Sequence, residues 1–293
     1  MRADDIVQQR EFNYRRTPER RVRTAEEARA FVEEVGFCHL WPIKGVETPN
    51  LFHAIAGRVR PVPMAHDDPD LSKCWGWKDQ ALGKQWWYYG KLLSRRATLI
   101  SLDMLPPFYA CSENFGDLDD YMAEYLDGTL TAEAKRIYEA LLTHGPLDTI
   151  RLRREAHMTA RSAKSRFERT LVELQVALKV LPIGIAEAGA WRYAFVYEIV
   201  QRHLPDLPQQ ARQISRAQAR RALVLRYLNN VVAADSRTIG RVFRVLKWTP
   251  AELERTIAAL LKENIVQKVQ VEGLKHPQLI STSTHTHPNT SND

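Results

Sequence analysis

A mainly α-helical fold with small β-ribbons is what this sequence predicts, and three observations predict it. Apolar residues recur at helical spacing behind good caps, strand-like runs are few and short, and one block of the pattern occurs twice. The block runs helix, short helix, longer helix, then a two-stranded ribbon. Glu168-Arg169-Thr170-Leu171 matches Glu254-Arg255-Thr256-Ile257, Leu174 matches Leu260, and Ile137 and Leu142 match Leu223 and Leu228, all at one offset. This is the element order of a winged helix-turn-helix domain. The sequence therefore predicts an N-terminal helical module followed by tandem winged helices.

Residues 1–23 are expected to form a basic arm, flexible or partly helical, with Arg15, Arg16, Arg20, Arg21 and Arg23 close together. A mostly helical module over 24–130 follows. It opens on the capping box Thr24-Ala25-Glu26-Glu27, and Ala28, Phe31, Val32 and Val35 make an apolar stripe that Gly36 ends. Gly36 to Trp41 is a short apolar stretch stopped by Pro42. Thr48 as cap and Pro49 in the first turn predict a second helix through Leu51, Phe52 and Ile55. Pro61, Pro63 and Asp67-Asp68-Pro69-Asp70 mark a loop before an aromatic-dense stretch. Ala97 to Leu102 reads as a buried strand broken by Pro106-Pro107, and Asp117 to Leu126 as a helix.

The first winged helix is expected over 131–204. Its first helix carries Ile137, Leu141 and Leu142 and ends at His144-Gly145-Pro146; Asp148 caps a short second helix. Thr159 caps the third, with Phe167, Leu171, Leu174 and Ala177 on one face, and strands at Leu178–Ala186 and Trp191–Ile199 follow. The second copy, 205–280, has helices at 215–232, 236–246 and 250–263, then a strand from Ile265 and a wing through Gly273. The polar tail 281–293 lacks the residues to bury a core and is expected to be disordered.

Charge points to a partner. The net charge is +7, but it is uneven: +3 over residues 1–23, −6 over 24–130 and +10 over 131–293. Such asymmetry suits a polyanion, usually nucleic acid, although a plain solubility surplus gives the same sum. No apolar run is long enough to span a membrane, and the polar start is not a secretory signal. Cys38, Cys74 and Cys111 lie far apart, which excludes a disulfide scaffold and gives no zinc-finger spacing; neither metal nor cofactor is expected. The expected compartment is a reducing cytoplasm, at the nucleoid in a bacterium.

The third helix of the first copy is the strongest candidate for DNA contact. Arg161, Lys164, Arg166 and Arg169 surround its start, where the helix dipole and long cationic side chains both act on phosphates. The corresponding helix of the second copy begins with Glu252 and Glu254, so its cations are sought on the preceding helix, at Arg237, Arg241, Arg244 and Lys247. Arg212, Arg216, Arg220, Arg221 and Arg226 add a run without acids. The alternative is a basic face packed against the acidic N-terminal module. Trp41, Trp75, Trp77 and Trp86 are candidates to stack on an extruded base, the rival role being core packing. His39 and His53 are lone histidines on apolar segments, each either a core residue or a catalytic one.

Certain segments resemble the winged-helix DNA glycosylases of the AlkZ/YcaQ type. They are Leu141-Leu142-Thr143-His144-Gly145-Pro146-Leu147, the basic helix to Leu174, and Trp191-Arg192-Tyr193-Ala194-Phe195-Val196-Tyr197-Glu198-Ile199-Val200. The N-terminal order is also similar, through Thr48-Pro49-Asn50-Leu51-Phe52 and Leu105-Pro106-Pro107-Phe108, so the likeness spans most of 24–275. The resemblance implies excision of N-alkylated or crosslinked bases, with water held by a Gln–apolar–Gln or Gln–apolar–Asp triplet. The matching stretch here is Cys38-His39-Leu40-Trp41-Pro42, which has no Gln, Asp or Glu and leaves only His39 to polarise a water. A later His-Pro-Arg motif is echoed by His276-Pro277-Gln278, without the arginine.

The expected function is binding of double-stranded DNA, damaged DNA included, by a monomer related to these glycosylases. Any catalysis would be monofunctional hydrolysis of the N-glycosidic bond. Two other classes stay open. A winged-helix transcription regulator would need a dimer and a spaced two-fold site, and no dimerising heptad is present. A protein-interaction module would show no salt-dependent DNA binding.

Overall fold

The computed structural model describes residues 2–282 apart from 65, 66, 113 and 115. Among the described residues about 53% are helical, and the strands form three small antiparallel sheets. The N-terminal part holds α1 (Ala3–Asn13), α2 (Ala25–Val35), β1 (Phe37–His39), α3 (Leu51–Ala56), α4 (Pro69–Lys84), β2 (Tyr88–Lys91), β3 (Ala97–Ile100), α5 (Leu105–Ala110) and α6 (Asp120–Leu126). Its sheet has the order β1-β3-β2.

Local chemistry explains the boundaries. Thr24 caps α2 by accepting from the Glu27 amide, and the Glu27 carboxylate accepts from the Arg23 amide. Gly36 ends the helix at φ +75, and a Cβ there would lie 2.8 Å from Met104. The cap of α3 is Asn50 rather than Thr48: Asn50 accepts from the His53 amide at 2.9 Å, while the Thr48 hydroxyl is committed to His39. The acidic run before the aromatic stretch is a helix start as well as a loop. Asp68 accepts from the Asp70 and Leu71 amides, with Pro69 in the first turn of α4. Pro106 and Pro107 sit in the first turn of α5, where their missing donors break no helical bond.

The basic stretch 1–23 is a strap rather than a free arm. Ile6 and Tyr14 are buried, and α1 lies across the end of α12 (Arg216–Val231). The last carbonyls of that helix would otherwise lack partners. Asn13 donates to the Asn229 carbonyl at 3.0 Å, and Arg10 donates to the Val231 carbonyl at 2.9 Å. Arg15 and Arg20 both pair with Glu34, so these cations are used within the fold.

The repeated block is present in both copies. The first runs α7 (Ala132–His144), β4 (Leu147–Asp148), α8 (Thr149–Glu155), α9 (Lys164–Val176), β5 (Val180–Ala186) and β6 (Ala194–Ile199). The short helices α10 (Val200–His203) and α11 (Leu207–Arg212) lead into α12. Then come β7 (Ala233–Ala234), α13 (Ser236–Val242), α14 (Pro250–Lys262), β8 (Val266–Val269) and β9 (Gln278–Ser281). The sheets have the equivalent orders β4-β6-β5 and β7-β9-β8. Matched positions are buried alike: Ile137 with Leu223, Leu171 with Ile257, and Leu174 with Leu260.

Thr159 does not cap α9. The Arg153 guanidinium donates to the carbonyls of Met158, Thr159 and Ala160, and a 3-10 turn at Arg161–Ala163 precedes the helix. No side chain caps α9. At the other end of the chain, Ser281 is buried in β9 and the Thr282 hydroxyl donates to the Ile265 carbonyl, so the polar tail does not begin at 281. Residues 283–293, the rest of the stretch expected to be disordered, lie outside the described residues.

Packing departs from chain order. The largest core joins Phe37, Tyr88 and Phe108 of the N-terminal part to Leu223, Tyr227 and Phe243 of the second repeat. The first repeat keeps a core of its own around Ile137, Phe167 and Tyr197.

Candidate nucleic-acid interface

At the start of α9, Arg161, Lys164, Arg166 and Arg169 are all exposed, while Phe167 and Leu171 turn inward. Arg166 pairs with Glu133 at 3.2 Å and Lys164 approaches Glu168 at 4.0 Å; both pairs are solvent-exposed and weak. No side chain caps α9; the 3-10 turn leads into it and its carbonyls take the Ala163 and Lys164 amides, so the pull on an anion at this end comes from the four cations. The equivalent end of the second repeat is closed. Thr249 and Glu252 form a reciprocal capping box, and Glu252 also pairs with Arg220 at 2.8 Å. On α13 and the turn after it, Arg237, Arg241, Arg244 and Lys247 are exposed.

The arginines of 212–226 all have partners within the fold, although Arg212 and Arg216 stay exposed. Arg221 pairs with Glu263, Arg212 with Asp117 and Arg226 with Asp103, while Arg226 also donates to the Glu34 carbonyl. Arg216 donates to the Ser112 carbonyl. This is the packing alternative read from the sequence, reached through acids of the N-terminal part and of α14.

A cleft of about 430 Å³ opens between the two repeats and the N-terminal part, with Arg95, Arg216, Arg220, Lys247, Glu173 and Glu252 on its wall. The turn Leu93–Arg95 touches the turn Arg244–Leu246, so the exposed Arg95 and Arg96 extend the basic surface of the second repeat. Averaging charge over the acidic residues 24–130 hides this pair. The cluster Lys91 to Arg96 is the signal that could have shown it.

The aromatic candidates divide. Trp41 and Trp75 meet at 5.8 Å between ring centres, and Tyr193 of the first repeat meets Trp75 at 6.3 Å. Trp75 is 39% exposed, which leaves an aromatic edge at the seam between α4 and the β5–β6 hairpin. Trp77 and Trp86 are half-buried against the N-terminal core, and Lys84 lies over Trp86. Beneath the edge, the fully buried Lys78 ammonium is ringed by Trp75, Tyr89, Tyr193 and Phe195 at 4.6–5.6 Å. It donates to the Asp79 carboxylate and to the Tyr193 hydroxyl at 2.8 Å, and Tyr193 donates to Asp79 at 2.9 Å. Burial pushes the Lys78 pKa down while Asp79 opposes the shift. Replacing Tyr193 with Phe should cost about 1–2 kcal/mol, since it removes the hydroxyl that ties the hairpin to α4. Urea denaturation of the two proteins measures it.

His39 is not at an open site. It is 1% exposed, with Nε2 at 3.2 Å from the Leu93 carbonyl and Nδ1 at 2.7 Å from the Thr48 hydroxyl. A carbonyl only accepts, so Nε2 carries the proton and Nδ1 accepts from Thr48. Burial pushes the pKa down to about 4, and the ring is neutral. Polarising a water would require breaking one of these bonds. His53 is likewise buried and bonds the Arg60 carbonyl. Among the described residues, no helix is long and apolar enough to cross a membrane.

Comparison with curated proteins and with solved structures returned no match. The profile of a family described as AlkZ related matches residues 22–244, a span from the end of the strap through α13. With 223 of its 293 residues inside that profile, the chain belongs to the AlkZ-related family.

Proposed function

We propose that this chain binds double-stranded DNA, damaged DNA included, through tandem winged helices, as a relative of the alkylation- and crosslink-repair glycosylases. The observation that carries the reading is the start of α9, where four cations are exposed together. In a winged helix the third helix is the one that enters the major groove. The repeated element order and the equivalent sheet orders support that architecture. Family membership supports DNA as the partner. Recognition, rather than base excision, is the function inferred. Cys38, His39 and Leu40 are all buried, and none is a carboxylate or carboxamide that could orient water at C1′.

Two measurements test this. In competition at moderate salt, a duplex carrying one uncharged abasic-site analogue is set against the same duplex carrying a cationic one. Binding of both with equal affinity is expected of a recognition protein; clear preference for the cationic analogue would mean that the site complements a glycosylase transition state. Changing Arg161, Lys164 and Arg166 to Ala should weaken binding and make the salt slope shallower, by about one unit for each phosphate that the variant no longer neutralises. Unchanged affinity would remove α9 as the DNA-binding element.

A further inference from the structure

Between β5 and β6 the chain makes a tight turn, Glu187 to Tyr193. Gly189 and Arg192 take left-handed conformations there, the Arg192 amide donates to the Gly189 carbonyl at 3.1 Å, and Arg192 pairs with Glu187. The turn is held at its base, where Tyr193 bonds Lys78 and Asp79 on α4. Two residues before that anchor, Trp191 stands 91% exposed. An indole offered so fully to water on a constrained tip gives up the burial that its large apolar surface favours. Nothing in the fold gains from its position.

The surroundings of Trp191 indicate what covers it. A Cβ at Gly189 would lie 3.1 Å from Ile150 Cδ1, so the tip rests on the first turn of α8, where Ile150 is itself 49% exposed. From that end α8 runs about 10 Å and presents Arg151 and Arg154 to solvent. At its far end the Arg153 bonds fix the segment that leads into Arg161 and Lys164. The acids beside the strip are already engaged: Asp148 accepts from the Ile150 and Arg151 amides, Glu187 pairs with Arg192 and Glu155 with Arg154. An exposed indole at one end of a cationic strip matches a polyanion that offers flat apolar faces.

We infer that Trp191 is a wedge that stacks on a base where a DNA duplex is already unstacked, so that the first repeat favours duplexes with one opened step. This rests on the DNA-binding reading above and adds the substrate class to it. Phosphates lie along Arg151, Arg154, Arg161 and Lys164, and the indole takes the place of the missing base neighbour. A side chain that enters a step gains most where unstacking costs least.

The test uses the full chain and two labelled duplexes that differ by one mismatched pair, titrated by fluorescence anisotropy at several salt concentrations. Trp191→Ala should weaken binding to the mismatched duplex about tenfold and to the intact duplex far less. Its salt slope should be unchanged, because indole releases no counterion. Trp191→Phe should keep the preference. The side chain is almost wholly exposed, so neither change should disturb folding. If the alanine variant binds the mismatched duplex as the parent does, the wedge is overturned while DNA binding stands. An equal weakening on both duplexes with a shallower slope overturns it too. If the parent binds neither duplex in a salt-dependent way, the DNA reading falls and this inference with it.

Discussion

Replacing Phe243 with Ala is expected to destabilise the protein by about 3–5 kcal/mol and to loosen the N-terminal part and the second repeat together. The ring is 1% exposed and meets Phe37 of β1 at 5.8 Å, Phe108 of α5 at 6.4 Å, Tyr227 of α12 at 5.9 Å and Trp248 at 4.9 Å. Its removal therefore opens a cavity on the seam between two parts of the chain that are distant in sequence. The tryptophans make the outcome readable, because five of the seven (Trp41, Trp75, Trp77, Trp86 and Trp87) lie in the N-terminal part. In urea, tryptophan emission should shift to a lower midpoint together with far-ultraviolet circular dichroism. An emission midpoint that stays at the parent value while helicity melts early would show that the two parts are not joined through this core.

What the sequence makes legible is what is local. Thr24 and Asp148 cap helices where their side chains predict, because a cap is settled within three residues. The repeat is legible because buried positions such as Ile137 and Leu223 need the same kind of residue in each copy. What stays hidden depends on chain separation. The arginines of 212–226 read as a surface for a polyanion, yet Glu252, Glu263, Asp103 and Asp117 meet them from elsewhere in the chain. Thr48 reads as a helix cap until His39, on another element, takes its hydroxyl. Trp191 reads as the first residue of a strand, because an aromatic run follows it. The backbone turns left-handed at Arg192, and β6 begins only at Ala194. That shift moves an indole from a ribbon to its tip, and with it goes the most consequential contact proposed for the molecule.

Lowering the pH from 6.5 toward 4 should remove about 3 kcal/mol of stability through His39 alone. In the fold its pKa lies at about 4, and its ordinary value is 6.5. Between those limits the unfolded chain binds a proton that the folded chain refuses. Stability therefore rises with pH across this window and is lost as pH falls through it. His53 and His203, also lowered by burial, act in the same direction. Asp68, held at about 2 by the Arg60 guanidinium, acts only at lower pH. His39→Gln keeps a donor and an acceptor near Thr48 and the Leu93 carbonyl but cannot titrate, so its urea midpoint should fall much less between about pH 7 and about pH 4.5. The comparison also bears on chemistry. A histidine that activates water needs a free ring nitrogen and a pKa near the working pH. If the parent and the Gln variant lose stability in parallel, His39 takes up its proton in the folded protein, and the water-polarising role regains its candidate. If the parent loses clearly more stability than the Gln variant, the ring is a neutral strut between β1 and the Leu93 turn.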